Sequence, residues 1–301
     1  MSDNLKVGII GLDTSHAVAF TKLLNDPLET YHVPGGKVVI AFPGGSPDFD
    51  LSISRVEGFT KELQRKYDVK ITDSIELVAE ESDAILLESV DGRVHLEQLR
   101  RIISYKKPIF VDKPFSLQSE KAAEMVELAS VYQTPVMSTS ALRYADALVE
   151  VLSMSDKGEI IGADCFGPME LQEKQPGFFW YGIHSIEMLF AILGEGFQSV
   201  TTTTNNEHDV IVGQRQDGLF GTVRGNRKGN KQFGAAIHFE QGTEYVDINT
   251  SAKPYYASLL DQIMDFFQDG IPRVSLAETK EVIRFIEAAN ESRTTGKQVL
   301  I

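Results

Sequence analysis

The first half of the chain alternates short, continuously apolar runs with longer amphipathic stretches. The apolar runs predict strands at Leu5–Ile10, Lys37–Phe42, Val69–Ile71, Ala84–Leu87, Pro108–Val111 and Pro135–Ser138. The stretches between them predict helices at Thr14–Asn25, Gly58–Tyr67, Ser74–Glu81, Arg93–Ser104 and Ser119–Tyr132. Strands without polar alternation, separated by helices, are typical of a parallel sheet that is covered on both faces. Since crossovers are right-handed, we predict a doubly wound parallel-sheet domain over residues 1–142.

The second half changes to strand-like runs in which apolar and polar residues alternate. After a helical segment, Tyr181–Leu193, these runs lie at Val200–Thr204, Val210–Gln214, Leu219–Val223, Gly234–Phe239 and Glu244–Asn249, and two helical segments follow at Tyr256–Gln268 and Ala277–Ser292. Short spacers rich in Gly, Asn and Asp indicate an antiparallel meander, and we interpret the basic loop Gly225–Gln232 as a solvated hairpin tip. We therefore predict an α/β protein whose second domain, residues 143–301, is α+β with a mostly antiparallel open sheet.

Composition and charge narrow the classes of partner. The 301 residues suit two domains, and 29 basic against 43 acidic residues give a net charge of −14. Such a surface repels nucleic acids and anionic membranes. The single cysteine, Cys165, excludes an intrachain disulfide. No apolar run approaches the roughly 20 residues of a spanning helix, so we expect a cytoplasmic protein.

The turn after the first predicted strand carries a weak cofactor signal. Gly11-Leu12-Asp13-Thr14-Ser15-His16 stands where a G-x-G-x-x-G dinucleotide fingerprint belongs, but Asp13 and His16 hold its second and third glycine positions. A carboxylate there would meet phosphate charge at close range. Two interpretations stay open: a modified phosphate-binding turn, or a helix cap formed by Asp13, Thr14 or Ser15.

The end of the second strand carries no acidic residue for the adenosine ribose. Gly44 and Ser46 stand there instead, which is compatible with NADP or with no dinucleotide.

Two further segments carry candidate chemistry. Lys113 follows the fifth strand, at the carboxyl edge where parallel sheets bind ligands, and burial could lower its pKa. His184 and Glu187 share a helix face, so His184 is either a buried structural histidine or a general base. The remaining histidines show no metal-ligand spacing, and we predict no metal site.

In this order and spacing, the motifs make the chain similar to the glucose–fructose oxidoreductase / inositol dehydrogenase (Gfo/Idh/MocA) family. The resemblance covers nearly the whole chain and rests on these segments: Val7–Gly11, Ala84–Leu87 with Val94-His95, Pro108–Pro114 with its Asp112-Lys113-Pro114 signature, Arg143-Tyr144, Gly182-x-His184-x-x-Glu187, and the ending Ala288–Leu300.

The resemblance implies a Rossmann domain that binds NAD or NADP and a second domain for substrate binding and oligomerisation. It implies hydride transfer with a secondary alcohol or ketone of a sugar or cyclitol. Lys113 would bind the reacting oxygen and His184 would exchange the proton, with Glu187 as a candidate orienting group. The implied cofactor-binding residues are Gly11, Leu12, Asp13, Thr14, Ser15, His16, Gly44, Ser46, Ser89, His95, Asp112 and Lys113. The implied substrate-binding residues are Lys113, Arg143, Trp180, Tyr181 and His184.

Two departures from the family pattern keep other functions open. Asp13 replaces a glycine, and Trp180 stands where members with a catalytic aspartate carry it. The alternatives are a catalytically silent ligand-binding or assembly protein, and a nicotinamide enzyme with a non-redox net reaction such as glycoside cleavage. The resemblance also implies a homodimer or homotetramer that forms through the open sheet of the second domain.

Overall fold

The computed structural model describes residues 4–301 and divides into two compact units. The first unit contains the chain up to Ser116, then Glu120–Thr139, and later Tyr256–Leu276. The second contains Leu117–Ser119, Ser140–Tyr255 and Ala277–Ile301. The chain thus returns to the first unit after residue 255, beyond the single boundary at 142/143 that the sequence suggests.

The first unit has a sheet of six parallel strands. Its strands are β1 (Leu5–Ile10), β2 (Gly36–Phe42), β3 (Lys70–Ile71), β4 (Ala84–Leu87), β5 (Ile109–Val111) and β6 (Val136–Met137). The spatial order is β3-β2-β1-β4-β5-β6, and every neighbouring pair is parallel. The central strand β4 is buried along its whole length, as its continuous apolar run predicts. The doubly wound domain is confirmed.

The crossover helices largely follow the prediction. They are α1 (Ser15–Asn25), α2 (Asp50–Tyr67), α3 (Ile75–Glu81), α4 (His95–Ile102) and α5 (Ser119–Tyr132). The start of α2 is the exception, because the predicted start at Gly58 is eight residues late. Only Ser52 and Leu63 of α2 are buried. A helix with so little buried surface shows a weak apolar period, which explains the late prediction.

The second unit has a seven-stranded mixed sheet. Its strands are β7 (Ile160–Pro168), β8 (Phe197–Thr204), β9 (His208–Arg215), β10 (Phe220–Asn226), β11 (Gly234–Phe239), β12 (Gly242–Asp247) and β13 (Val299–Leu300). The order is β12-β11-β7-β10-β9-β8-β13, and only the β7–β10 pair is parallel. The mostly antiparallel sheet is confirmed.

The predicted uninterrupted meander is wrong, because β7 lies between β10 and β11. The loop Gly225–Gln232 therefore connects two strands that are not neighbours, and it is not a hairpin tip. The prediction missed β7 because two glycines interrupt its apolar pattern. One of them, Gly167, is required by packing, since a Cβ there would lie 2.4 Å from the ring of Phe233.

The remaining helices are α6 (Asp146–Leu152), α7 (Gly182–Leu193), α8 (Tyr255–Asp269) and α9 (Leu276–Thr295). The short α6 was not predicted. Helix α8 packs in the first unit, where the rings of Tyr256 and Phe20 lie edge to face with their centroids 6.3 Å apart. Over residues 4–301, no helix combines the length and the apolar character that a membrane span requires.

Candidate functional site

The turn after β1 has a backbone that only glycine suits. Gly11 has a φ of +97°, and a Cβ there would lie 2.4 Å from the backbone nitrogen of Ser89. The amides of Gly11 and Leu12 donate to the carbonyls of Phe42 and Pro43, which ties the turn to the end of β2. Glycine is thus required at position 11 because the tight turn packs directly against the backbone of Ser89, which matches the part that the first glycine of a dinucleotide fingerprint plays.

Thr14 caps the helix, and the carboxylate of Asp13, which replaces a glycine of the fingerprint, makes other contacts. Thr14 is the N-cap of α1, and its Oγ1 accepts from the His16 amide at 3.4 Å. Asp13 points elsewhere. Its carboxylate, in a residue only 1% exposed, accepts hydrogen bonds from the hydroxyl of Ser52 at 2.5 Å and the amide of Val90 at 3.0 Å. Burial raises the pKa of Asp13 although both hydrogen bonds oppose it. The Asp13 carboxylate is therefore held by protein donors, while Thr14 caps the helix.

The loop after β2 is tied to the loop after β4 by buried polar contacts. The hydroxyl of Ser46 donates to Asp91 at 2.6 Å, and Arg93 bridges Asp91 to Asp48. Burial would raise the pKa of Asp91, but Arg93 and Ser46 hold it below its ordinary value. Gly44 has a φ of +65° and lies against Gly11. Ser46 is therefore already a donor to protein.

The carboxyl ends of β4 and β5 bring together ionisable residues from distant segments. Glu88 and Ser89 follow β4, Asp112 and Lys113 follow β5, and all four are buried. His16, in the first turn of α1, places its Nδ1 3.0 Å from Oδ2 of Asp112 and 3.9 Å from Oε2 of Glu88. Its Nε2 lies 3.2 Å from the hydroxyl of Tyr256.

The local environment shifts the pKa values of this cluster. Burial lowers the pKa of Lys113, although the carboxylates of Asp112 and Glu88 oppose the shift. Burial raises the pKa of Glu88 well above its ordinary value, and the charges of Asp112 and Asp13 act in the same direction. A buried amine with a lowered pKa beside acids is suited to binding an oxygen that gains or loses a proton.

His95 has a structural contact pattern. Its Nε2 lies 2.7 Å from the carbonyl oxygen of Ser89, and its Nδ1 lies 3.0 Å from that of Pro114. Both ring nitrogens therefore contact backbone carbonyls, and the ring links the segment after β4 to the segment after β5.

The second unit holds the other candidate residues on and before α7. His184 Nδ1 lies 2.7 Å from the hydroxyl of Ser140, and its ring packs edge to face against Tyr181 and Phe233. The ring centroids of Trp180 and Tyr181 lie 6.1 Å apart, just before the start of α7. The hydroxyl of Ser140 is therefore placed to orient the imidazole.

Glu187, which the sequence offered as the orienting group, pairs with Arg143 at 3.1 Å. Arg143 also pairs with Glu278, and all three side chains are largely buried. Burial would lower the pKa of Arg143, but the two carboxylates hold it above its ordinary value. Arg143, a candidate for substrate binding, is thus engaged by two protein acids.

Four residues that make these contacts were not predicted from the sequence: Glu88, Ser140, Ser52 and Tyr256. Glu88 had a signal, because it directly follows a predicted parallel strand, where ligand-facing residues lie. Ser140 follows the sixth predicted strand by two positions and had the same signal in weaker form. Ser52 and Tyr256 reach the turn after β1 from distant elements, so only tertiary structure reveals them.

Comparison with known proteins agrees with the fold. The model of the Gfo/Idh/MocA family, described as "Oxidoreductase family, NAD-binding Rossmann fold", matches residues 5–140. No curated protein sequence matches the chain.

Several solved structures share the architecture over essentially the full chain. Apo scyllo-inositol dehydrogenase from Lactobacillus casei has a TM-score of 0.82 at 13% identity, covering 99% of this chain and 98% of that chain. A putative myo-inositol dehydrogenase from Sinorhizobium meliloti 1021 has a TM-score of 0.81 at 16% identity, covering 99% and 100%. Myo-inositol dehydrogenase from Lactobacillus casei, in complex with NAD(H) and myo-inositol, has a TM-score of 0.76 at 17% identity, covering 99% and 97%. At these identities the likeness is one of fold. Together with the family match it confirms the resemblance seen in the sequence: residues 5–140 match the Gfo/Idh/MocA family of oxidoreductases, with its NAD-binding Rossmann fold.

Proposed function

We propose that the protein is an NAD-dependent oxidoreductase that acts on a secondary alcohol or ketone of a sugar-like or cyclitol-like substrate. The observation that carries the proposal is Lys113, buried beside Asp112 at the carboxyl end of β5 in a domain of an NAD-binding family. Solved structures of similar fold are inositol dehydrogenases, one of them bound to NAD(H) and myo-inositol, which supports the substrate class. A preference for NAD over NADP is part of the proposal.

We assign the cofactor to the turn Gly11–His16 and its surroundings, with Gly44, Ser46, Ser89, His95 and Asp112 as supporting residues. When bound, NAD supplies the nicotinamide carbon that accepts or donates the hydride. Gly11 makes the tight turn that leads into α1, and Thr14 fixes the start of α1, whose N-terminal dipole favours an anion.

The chain's own groups would handle the oxygen and its proton. The ammonium of Lys113 binds the reacting oxygen and stabilises its negative charge as the hydride leaves carbon. For His184 we propose proton exchange through Nε2, because Ser140 contacts the opposite ring nitrogen, Nδ1. Ser140 is then a positioning residue, while Tyr181 and Trp180 contribute aromatic surface for the substrate.

The test is hydride transfer followed by NADH absorbance across a panel of cyclitols and sugars. Lys113→Ala should lower turnover by about 10²–10³-fold, as removal of a charge-stabilising group does. Lys121→Ala is the matched control, since Lys121 is exposed on α5. Turnover of Lys113→Ala equal to that of the control would refute the role of Lys113.

Cofactor binding is tested separately by thermal unfolding with NAD⁺, NADH, NADP⁺ and NADPH. A nucleotide at 100 times its Kd adds about 2.7 kcal/mol to the free energy of unfolding and raises the midpoint by a few degrees. The expected result is a rise with NAD⁺ or NADH. No rise with any of the four nucleotides would contradict the proposal.

A second candidate function, ligand binding without hydride transfer, is favoured by the buried carboxylate of Asp13 in the phosphate-binding turn. It predicts a folded protein with no hydride exchange in the whole panel, whereas any measurable exchange excludes it.

We also propose that the protein is a cytoplasmic homo-oligomer that pairs through the open face of the second sheet. This face carries Asp164, Thr222 and His238 in one hydrogen-bonded row, and Phe220 and Tyr245 are exposed by 53% and 79%. Exposed aromatic residues of this kind are enriched at interfaces. A monomeric mass by light scattering at micromolar concentration would contradict the pairing.

A further inference from the structure

We propose that His16, Glu88 and Asp112 form a binding site for one divalent transition-metal cation. The three residues come from the start of α1 and the ends of β4 and β5. One ligand atom from each lies within 4.8 Å of the other two. This inference goes beyond the proposed hydride transfer and rests on none of its steps.

The distances suit a metal after a small adjustment. His16 Nδ1 lies 3.0 Å from Asp112 Oδ2 and 3.9 Å from Glu88 Oε2. Nitrogen and oxygen ligands at about 2.1 Å from a metal stand roughly 3.0–3.4 Å from each other. The imidazole and the Asp112 carboxylate already have that spacing. An inward movement of the Glu88 carboxylate by roughly 1–1.5 Å would complete the set.

An independent observation at Glu88 points to a missing partner. The side chain is 0% exposed, and within residues 4–301 neither carboxylate oxygen has a hydrogen-bond partner. Buried carboxylates are ordinarily hydrogen-bonded, paired or metal-bound. Lys113 is near enough to lower the electrostatic cost of the Glu88 charge, but it donates no hydrogen bond to these oxygens. A cation held by Glu88 and Asp112 would satisfy both acids directly.

The ligand types select the class of metal. One imidazole nitrogen and two carboxylate oxygens suit Mn²⁺, Fe²⁺, Co²⁺ or Zn²⁺, whereas Mg²⁺ and Ca²⁺ prefer all-oxygen sites. The other ring nitrogen of His16 contacts the Tyr256 hydroxyl at 3.2 Å. Metal-bound histidines usually donate that second N–H to a neighbouring oxygen, which orients the ring and presents the lone pair of Nδ1 to the metal. Tyr256 has the right position for this role.

The sequence could not indicate this site, because its ligands lie in three segments with no motif spacing. His16 occupies the third glycine position of the fingerprint, and Asp112 replaces the glutamate of the family's Glu-Lys-Pro signature. Both residues that depart from the family pattern are proposed ligands, so metal binding would explain the two departures together.

The test uses tag-free, EDTA-dialysed protein without nucleotide or substrate. Titration with Mn²⁺ by calorimetry and metal analysis should give one equivalent per chain. The Mn²⁺ electron spin-echo spectrum should show a directly bound imidazole nitrogen. These two measurements on the wild-type protein decide the question even if a variant fails to fold. No stoichiometric binding of Mn²⁺, Co²⁺ or Zn²⁺, or a bound metal without imidazole coordination, overturns the proposal.

Variants then identify the ligands. Glu88→Gln keeps the shape of the side chain and should weaken Mn²⁺ binding by more than about 100-fold, while Tyr256→Phe should weaken it by about 10–100-fold. Glu120→Gln, at an exposed position on α5, is the control and should bind like the wild type. Equal affinity of Glu88→Gln and the control would refute the site. Since no nucleotide is present, hydride transfer can succeed or fail without changing this result.

Discussion

Removing the Arg143 guanidinium should destabilise the second unit strongly. The Arg143 side chain is 11% exposed and pairs with Glu187 and Glu278, which are 5% and 16% exposed. In Arg143→Met the apolar stem remains, but two buried carboxylates lose their shared counter-ion. Breaking a buried ion pair from one side costs about 3–5 kcal/mol, because the charge left behind is desolvated and unpaired. We expect a loss of this size in the free energy of unfolding.

Urea unfolding followed by circular dichroism at pH 7 measures the loss. Arg100→Met is the matched control, since Arg100 is 45% exposed and pairs with Glu97 and Glu124 on the surface. Exposed pairs contribute about 0–1 kcal/mol, so the control should lose no more than that. Adding Glu187→Gln to Arg143→Met should recover part of the stability, because it removes one of the two buried charges that the guanidinium balanced. A loss no larger than in the control would refute the reasoning, and a substrate-binding role for Arg143 would then be favoured.

Three further perturbations test separate features. Gly11→Ala should cost at least about 1–3 kcal/mol of stability from backbone strain alone and should weaken nucleotide binding by displacing the turn. Wild-type stability would contradict the requirement for glycine at this turn. Arg101 lowers the pKa of Glu76 from 4.5 to about 2. The Glu76–Arg101 pair therefore stabilises the protein fully above pH 4.5, and this stabilisation is lost as the pH falls towards 2. Glu76→Gln should cost at most about 1 kcal/mol of unfolding free energy at pH 7 and almost nothing at pH 2. An equal cost at both pH values would exclude this pairing. Burial raises the pKa of the Cys165 thiol, so it should react with an aromatic disulfide reagent only after unfolding in urea, and fast reaction of the native protein would show that the strand is exposed.

The first unit was largely predictable because local sequence and tertiary burial agree there. Strands such as β4 are apolar along their length, and a fully covered parallel sheet requires that pattern. The errors came where another constraint replaced the pattern. β7 carries Gly167 because Phe233 occupies the space of a side chain, and α2 buries too little surface to show its true start.

The candidate site was predictable wherever one segment supplies a residue with its own signal. Lys113 and Asp112 belong to a strand end, where ligands bind in such sheets. The contacts of Asp13 and His16 were not predictable, because their partners Ser52 and Tyr256 come from other elements. Glu187 shares a helix face with His184, but Arg143 competes for its carboxylate. Helical spacing shows which residues can meet, and packing decides which of them do.

The position of β7 in the second sheet has a consequence for how this unit folds. β7 is the first strand of its sheet to leave the ribosome, yet its neighbours β10 and β11 follow only after α7, β8 and β9. The β8–β9–β10 ribbon can form early from local hairpins, whereas β7 must close long loops to pair on both edges. We expect the second unit to fold in a slow final step in which β7 is inserted. Until then, the unpaired edges of β7 are the part of the nascent chain most exposed to mispairing.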